Sequence, residues 1–151
     1  MKGKVKAIPD GYHTVTPYLV VQDARGLMDF LRQVFHAQDL RIMEGPDGRI
    51  SHAEMQIGDS VVMLSDSGPN FSPMPTMLHL YLEDTNTAYK RALDAGATSI
   101  REPSDQFYGD RTAGVQDRFG NQWWMATHIE DVSDEEMQRR MQARSQQQGS
   151  A

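Results

Sequence analysis

Residues 50–57 place three polar side chains where a strand would hold them together. His52, Glu54 and Gln56 alternate with Ala53, Met55 and Ile57. In an extended chain alternate residues share a face. The apolar set belongs against a core, which leaves the polar set facing away from it. Residues 77–82 repeat the arrangement, with Met77, His79 and Tyr81 alternating against Leu78, Leu80 and Leu82. If the two polar faces line one space, His52, Glu54 and His79 converge. Two histidines and a carboxylate can hold a divalent metal. The same groups can act as a general acid–base pair or hydrogen-bond a polar ligand. The plainer reading is that they bond one another or face water.

A second group lies in Asp105-Gln106-Phe107-Tyr108-Gly109-Asp110-Arg111. Arg111 offers a planar fork suited to a carboxylate or phosphonate, and Phe107 and Tyr108 offer stacking surface. The structural alternative is an ion pair of Arg111 with Asp105 or Asp110 that pins the loop. Trp124 is expected to line a pocket wall, and Trp123 to point into the core. His13, His36 and His128 carry little weight at this stage. The chain has no cysteine, which rules out thiolate nucleophiles and thiolate metal sites. Neither a phosphate-binding loop nor a dinucleotide fingerprint is present.

Elements to position these residues follow from periodicity. Residues 1–11 read as an N-terminal arm. Residues 12–21 read as a strand, with Val15, Leu19 and Val21 on one face and Thr14, Thr16, Tyr18 and Val20 on the other; Pro17 suggests an edge or an irregularity. Asp23 is a helix cap ahead of Leu27, Phe30, Leu31, Val34 and Phe35 at helical spacing over 24–36. Strands are expected at 38–44, 50–57 and 61–66, with a Gly58-Asp59 hairpin turn between the last two. A linker at 67–76 is followed by a strand at 77–83, the cap Asp84, and a helix over 85–95 ended by Gly96. Further strands are expected near 98–101, 112–117 and 122–128. A C-terminal helix at 132–145 and a disordered tail at 146–151 complete the chain.

The second half repeats the first. Asp23 matches Asp84 at an offset of 61, and Gly58 matches Gly120 at an offset of 62. Each half reads β-α-β-β-β. The fold class is therefore α+β: two tandem βαβββ modules, about 12–66 and 77–131 within one domain of 12–131, with curved mixed sheets around a cleft. One helix covers one face of each sheet, and the other faces line the cleft.

Bulk properties narrow the partners. A net charge of −6 argues against nucleic acid, which needs a basic surface, and allows a cationic ligand. No run reaches the length of a membrane span, and no secretory signal is visible after the basic start. A cytoplasmic location is the expectation.

The duplicated unit resembles the vicinal-oxygen-chelate (glyoxalase/bleomycin-resistance/dioxygenase) superfamily. The stretches from Ile8 to Leu19, Ser51-His52-Ala53-Glu54, Phe107 to Arg111, Asp117 to Asn121 and Ala126 to Asp131 resemble its PhnB-like branch. The resemblance implies a homodimer with a small-molecule cavity inside the curved sheets. In metal-dependent relatives it also implies four ligands. Two stand seven residues before the aspartate that ends each first strand, and two stand four residues after each hairpin glycine. Here those positions fall on Thr16, Met77, Val62 and Trp124. None carries an imidazole or carboxylate, so no cofactor is expected, the alternative being a divalent metal relocated to His52, Glu54 and His79.

The leading functional expectation is a metal-free binder of a small molecule, with Thr16, Tyr18, His52, Glu54, Met77, His79, Tyr81, Tyr108, Arg111 and Trp124 as binding residues. The alternative is an enzyme of the lyase, isomerase, transferase or dioxygenase kind. It would act on a small oxygen-rich substrate, with His52, Glu54 and His79 as catalytic candidates. A third reading gives the C-terminal helix to a partner protein.

Overall fold

The computed structural model describes residues 3–149. The chain divides into two compact units. The first runs to Thr76 and takes in Asp117–Asn121; the second comprises Met77–Gln116 and the chain from Gln122 onward.

The first unit contains β1 (Tyr18–Val21), α1 (Ala24–Phe35), β2 (Gln38–Glu44), β3 (Ile50–Ile57) and β4 (Ser60–Asp66). The sheet order is β1-β4-β3-β2. β1 runs parallel to β4, and the other pairs are antiparallel. Asp23 caps α1 by accepting from the Gly26 amide at 3.0 Å. Leu27, Met28, Leu31 and Val34 are almost fully buried, and so are Leu19, Ala53, Met55 and Leu64. That set forms the layer between helix and sheet. The strand predicted over 12–21 is observed only from Tyr18. Pro17 has no amide hydrogen to give to a ladder; its carbonyl still accepts from the Met63 amide at 2.9 Å.

The second unit contains β5 (Met77–Tyr81), α2 (Thr85–Asp94), β6 (Thr98–Asp105), β7 (Asp110–Gln116), β8 (Gln122–His128) and α3 (Asp134–Gly149). Its sheet order, β5-β8-β7-β6, repeats the first, again with one parallel pair. Asp84 caps α2 through the Thr87 amide at 3.1 Å, and Gly96 takes a positive φ of 99° just past the helix. The face of α2 toward the sheet is built from Thr85, Ala88 and Ala92. These small side chains leave room for Trp123, which is fully buried with Ala113, Val115 and Met125.

Several boundaries differ from expectation. β6 extends to Asp105 and β7 starts at Asp110, so the hairpin between them is tighter than the sequence suggested. α3 continues to Gly149 where a disordered tail was expected from 146; residues 150–151 lie outside the described residues, as do the first two of the N-terminal arm. The two β-hairpins before β4 and β8 differ in length. Ile57 pairs with Ser60, whereas Gln116 pairs with Gln122 across a longer loop.

That loop is a compact structure within the first unit. Asp117 accepts from the amides of Phe119 at 2.8 Å and Asn121 at 3.0 Å. Asn121, with no exposed surface, accepts from the Thr76 amide at 3.0 Å. Arg118 donates to Asp23 at 2.8 Å.

Candidate functional site

Each sheet has one face under its helix and one face away from it. On the open face of the first sheet, β3 places His52 and Glu54. Glu54 is 5% exposed. One of its oxygens lies 2.7 Å from His52 Nε2, and the other accepts from the Tyr12 hydroxyl. On the other side of the imidazole, Nδ1 lies 3.1 Å from the Tyr18 hydroxyl, and the two rings lie 5.6 Å apart. The result is a hydrogen-bonded relay, Tyr18–His52–Glu54–Tyr12. A neutral imidazole donating from Nε2 to Glu54 can accept at Nδ1 from Tyr18, so every group in the relay has a compatible role. The Tyr12 hydroxyl, then His52, hold the Glu54 carboxyl below its ordinary range against the opposing effect of burial. The Tyr12 phenol is raised, mainly by the same bond to Glu54. Sequence reasoning found His52 and Glu54 but missed Tyr12, which a turn closed by the Tyr12 amide on the Pro9 carbonyl at 3.1 Å brings to them. No local pattern marks it.

The open face of the second sheet carries a different arrangement. His79 and Tyr81 stand on β5 with their rings edge to face at 5.3 Å. The Tyr81 hydroxyl donates to Asp110 at 2.8 Å, which raises the phenol. Asp110, 3% exposed, also lies 2.8 Å from His128 Nδ1, and Asp131 lies 2.8 Å from His128 Nε2. Asp110 first, then Asp131, raise the His128 imidazole above its ordinary value. Two carboxylates facing both nitrogens suit an imidazolium, in which both are donors. His128, given little weight from sequence, and Asp110, read there as a partner for Arg111, are thus central to this face.

One residue row further along lies Trp124. It pairs with His79 on β5 and Gly114 on β7. A Cβ built on Gly114 would come within 2.8 Å of the six-membered ring of Trp124, so the indole lies against the strand where a side chain is missing. Its Nε1 donates to Gln122 at 3.1 Å. Arg101 of β6, paired with Gly114, holds its guanidinium 5.2 Å from the indole centroid. A glycine inside a strand signals close approach, and this one was available in the sequence.

Other candidates are placed elsewhere. Arg111 points toward α2, donating to Asn86 at 2.9 Å and pairing with Asp105 at 2.9 Å. The loop-pinning ion pair is therefore present, made with Asp105. Asp110, the other candidate partner, is engaged by Tyr81 and His128. Tyr108 packs edge to face on Phe107 at 5.2 Å, and Arg144 of α3 lies 4.5 Å above the Phe107 ring. The Thr16 hydroxyl turns back on the His13 carbonyl at 3.4 Å, and Met77 is 62% exposed at the start of β5.

The position read as Val62 needs correction. Val62 is 4% exposed and pairs with Met55 in the layer under α1. The residue of β4 on the open face is Met63, which pairs with Tyr18 and Glu54, as Trp124 pairs with His79 and Gly114. The hairpins differ in length, so counting from their glycines slips by one residue, and one residue reverses the face. Thr16, Met63, Met77 and Trp124 offer neither imidazole nor carboxylate, so the usual metal ligand set does not fit these positions. His52 and Glu54 are engaged with each other in the first unit, while His79 belongs to the second. Among the described residues no group of three or more His, Cys, Asp or Glu side chains is placed to hold a metal.

Comparison with known proteins agrees with this architecture. The family described as the Glyoxalase/Bleomycin resistance protein/Dioxygenase superfamily matches residues 12–125. An uncharacterized protein of Mycobacterium bovis is 36% identical over 138 residues, covering 84% of this chain and 91% of its own. Among solved structures, TioX from Micromonospora sp. ML1 superposes with a TM-score of 0.67 at 23% identity, covering 78% of this chain and 99% of TioX. A PhnB protein from Bacillus cereus superposes with a TM-score of 0.59 at 17% identity, covering 76% of this chain and 99% of that one. With the paired four-stranded mixed sheets and the family match over most of its length, the chain belongs to the Glyoxalase/Bleomycin resistance protein/Dioxygenase superfamily.

Proposed function

We propose that this protein binds a small organic molecule on the open faces of its sheets, as a homodimer and without a divalent metal. The observation that carries the reading is Trp124. An indole laid against Gly114, tied by Gln122 and bordered by His79, is flat apolar surface with polar groups around it. Ligand pockets combine these two features. The side chains at the family's metal positions supply no suitable donors, which supports a metal-independent site. The homodimer is the assembly that the family resemblance implies.

The test joins elemental analysis to a ligand screen. Purified protein, dialysed against Ni, Zn, Mn and Fe(II), is expected to retain no stoichiometric metal. In a thermal-shift screen, a compound that raises the Tm of the wild type but not of Trp124→Phe supports the proposal. A stoichiometric metal that disappears in a His52→Ala/His79→Ala double variant overturns it.

A second reading has its own observation. The Tyr18–His52–Glu54–Tyr12 relay holds an ionised carboxylate against an imidazole, an arrangement able to take up and return a proton. Turnover that is lost in His52→Ala, with ligand affinity retained, would favour an enzyme over a binder.

A further inference from the structure

We infer that the open face of the second sheet is a subsite for a flat anion, an aromatic or conjugated carboxylate, with Arg101, oriented by its stacking on Trp124, as its charge partner. This rests on the small-molecule reading above and names the ligand class.

Arg101 is exposed, and among the described residues it has no carboxylate within ion-pairing distance. Its neighbour on this face is the Trp124 ring, with the guanidinium carbon 5.2 Å from the centroid. Stacking on an indole orients a guanidinium and leaves its edge, with its N–H donors, free for another group. That edge matches the two oxygens of a carboxylate. The indole is itself immobilised: Gly114 leaves room for it, and Gln122 binds its nitrogen. A planar ligand therefore meets a surface already ordered, which reduces the entropy lost on binding.

The other charged groups of this face are already engaged. Asp110 accepts from Tyr81 and His128, and His128 is held by Asp110 and Asp131. One polar atom is not satisfied. Thr112 Oγ1, two residues from Gly114 on β7, is buried and has no hydrogen-bond partner among the described residues. A buried hydroxyl without a partner is costly, but this one is closed to solvent, so it is not counted among the ligand's partners. The chain's net charge of −6 points toward cationic ligands, whereas the local arrangement selects the opposite sign.

The experiment uses the full chain and three probes of one shape: 2-naphthoate, the neutral 2-naphthamide and the cationic 2-naphthylmethylammonium. Binding is measured by calorimetry and by the Trp124 indole N–H resonance, assigned by its loss in Trp124→Phe. Naphthoate is expected to bind at least about tenfold more tightly than the other two, the scale of one charge-assisted bond. Arg101→Gln should abolish that preference, and Arg101→Lys should keep part of it, with thermal unfolding unchanged in both. If the neutral or cationic probe shifts the Trp124 resonance as strongly as naphthoate, and Arg101→Gln changes nothing, the anion inference fails while the binding reading stands. If none of the three moves that resonance at millimolar concentration, both fail.

Discussion

Glu54 is a carboxylate removed from water and kept charged by two donors. Its folded-state pKa lies below the ordinary value of 4.5. The stability it contributes is therefore complete above about 4.5 and is lost as pH falls through the lowered folded value. Glu54→Gln keeps the shape but lacks the charge that Tyr12 and His52 serve. It is expected to cost about 1–3 kcal/mol at pH 7, with the gap to the wild type narrowing as the pH drops below 4.5, measured by urea unfolding across pH 3–7. A constant gap would mean that the carboxylate is not ionised in the relay. At this scale the sequence was partly legible. The alternation of His52 and Glu54 was visible because strand period alone sets it, and the same held for His79 and Tyr81. Tyr12 and Arg101 were not singled out, Asp110 was read only as a partner for Arg111, and His128 carried little weight, because their partners are remote in sequence and only a turn or strand register brings them together.

At the scale of elements, β7 shows how a strand accommodates an aromatic residue from its neighbour. The Gly114 position would set a Cβ 2.8 Å from two ring carbons of Trp124. Gly114→Ala is expected to destabilise by about 1–3 kcal/mol, the range for overpacking, and to displace the indole N–H resonance. Combining it with Trp124→Leu should recover much of that loss, because the two residues share one space. Additive losses in the double variant would show that the indole does not lie on Gly114. The helices were readable from their aspartate caps and apolar spacing, since both signals are local. Strand ends were less so. Pro17 shortens β1, and the unequal hairpins put the expected residue on β4 one place out. A turn glycine marks that the chain reverses, but not how many residues do the reversing.

For the molecule as a whole, the duplicated βαβββ pattern was the most legible feature, because two anchors in each half had to agree. The final helix was not read to its full length. α3 is mostly polar, with Met137 and Met141 as its large apolar residues, and is tied to the rest of the second unit by Arg140, which pairs with both oxygens of Glu130 at 2.9 Å and donates to the Phe107 carbonyl at 3.0 Å. Arg140 is half-buried and Glu130 exposed, and ion pairs open to water contribute little. Truncation after Ser133 is therefore expected to shift the urea unfolding free energy by no more than about 1 kcal/mol and to leave one cooperative transition. A truncated chain that no longer unfolds cooperatively would make α3 part of the folding core.

The Asp117–Asn121 loop has a bearing on synthesis. The unit it completes is otherwise made of residues up to Thr76, and the Thr76 amide depends on Asn121 for its partner. On the ribosome, the earlier half of the chain must wait for a turn encoded some forty codons later before its last hydrogen bonds can close. A break in translation between the two would release a nascent chain with every strand of its first sheet present and the edge of that unit still unsealed.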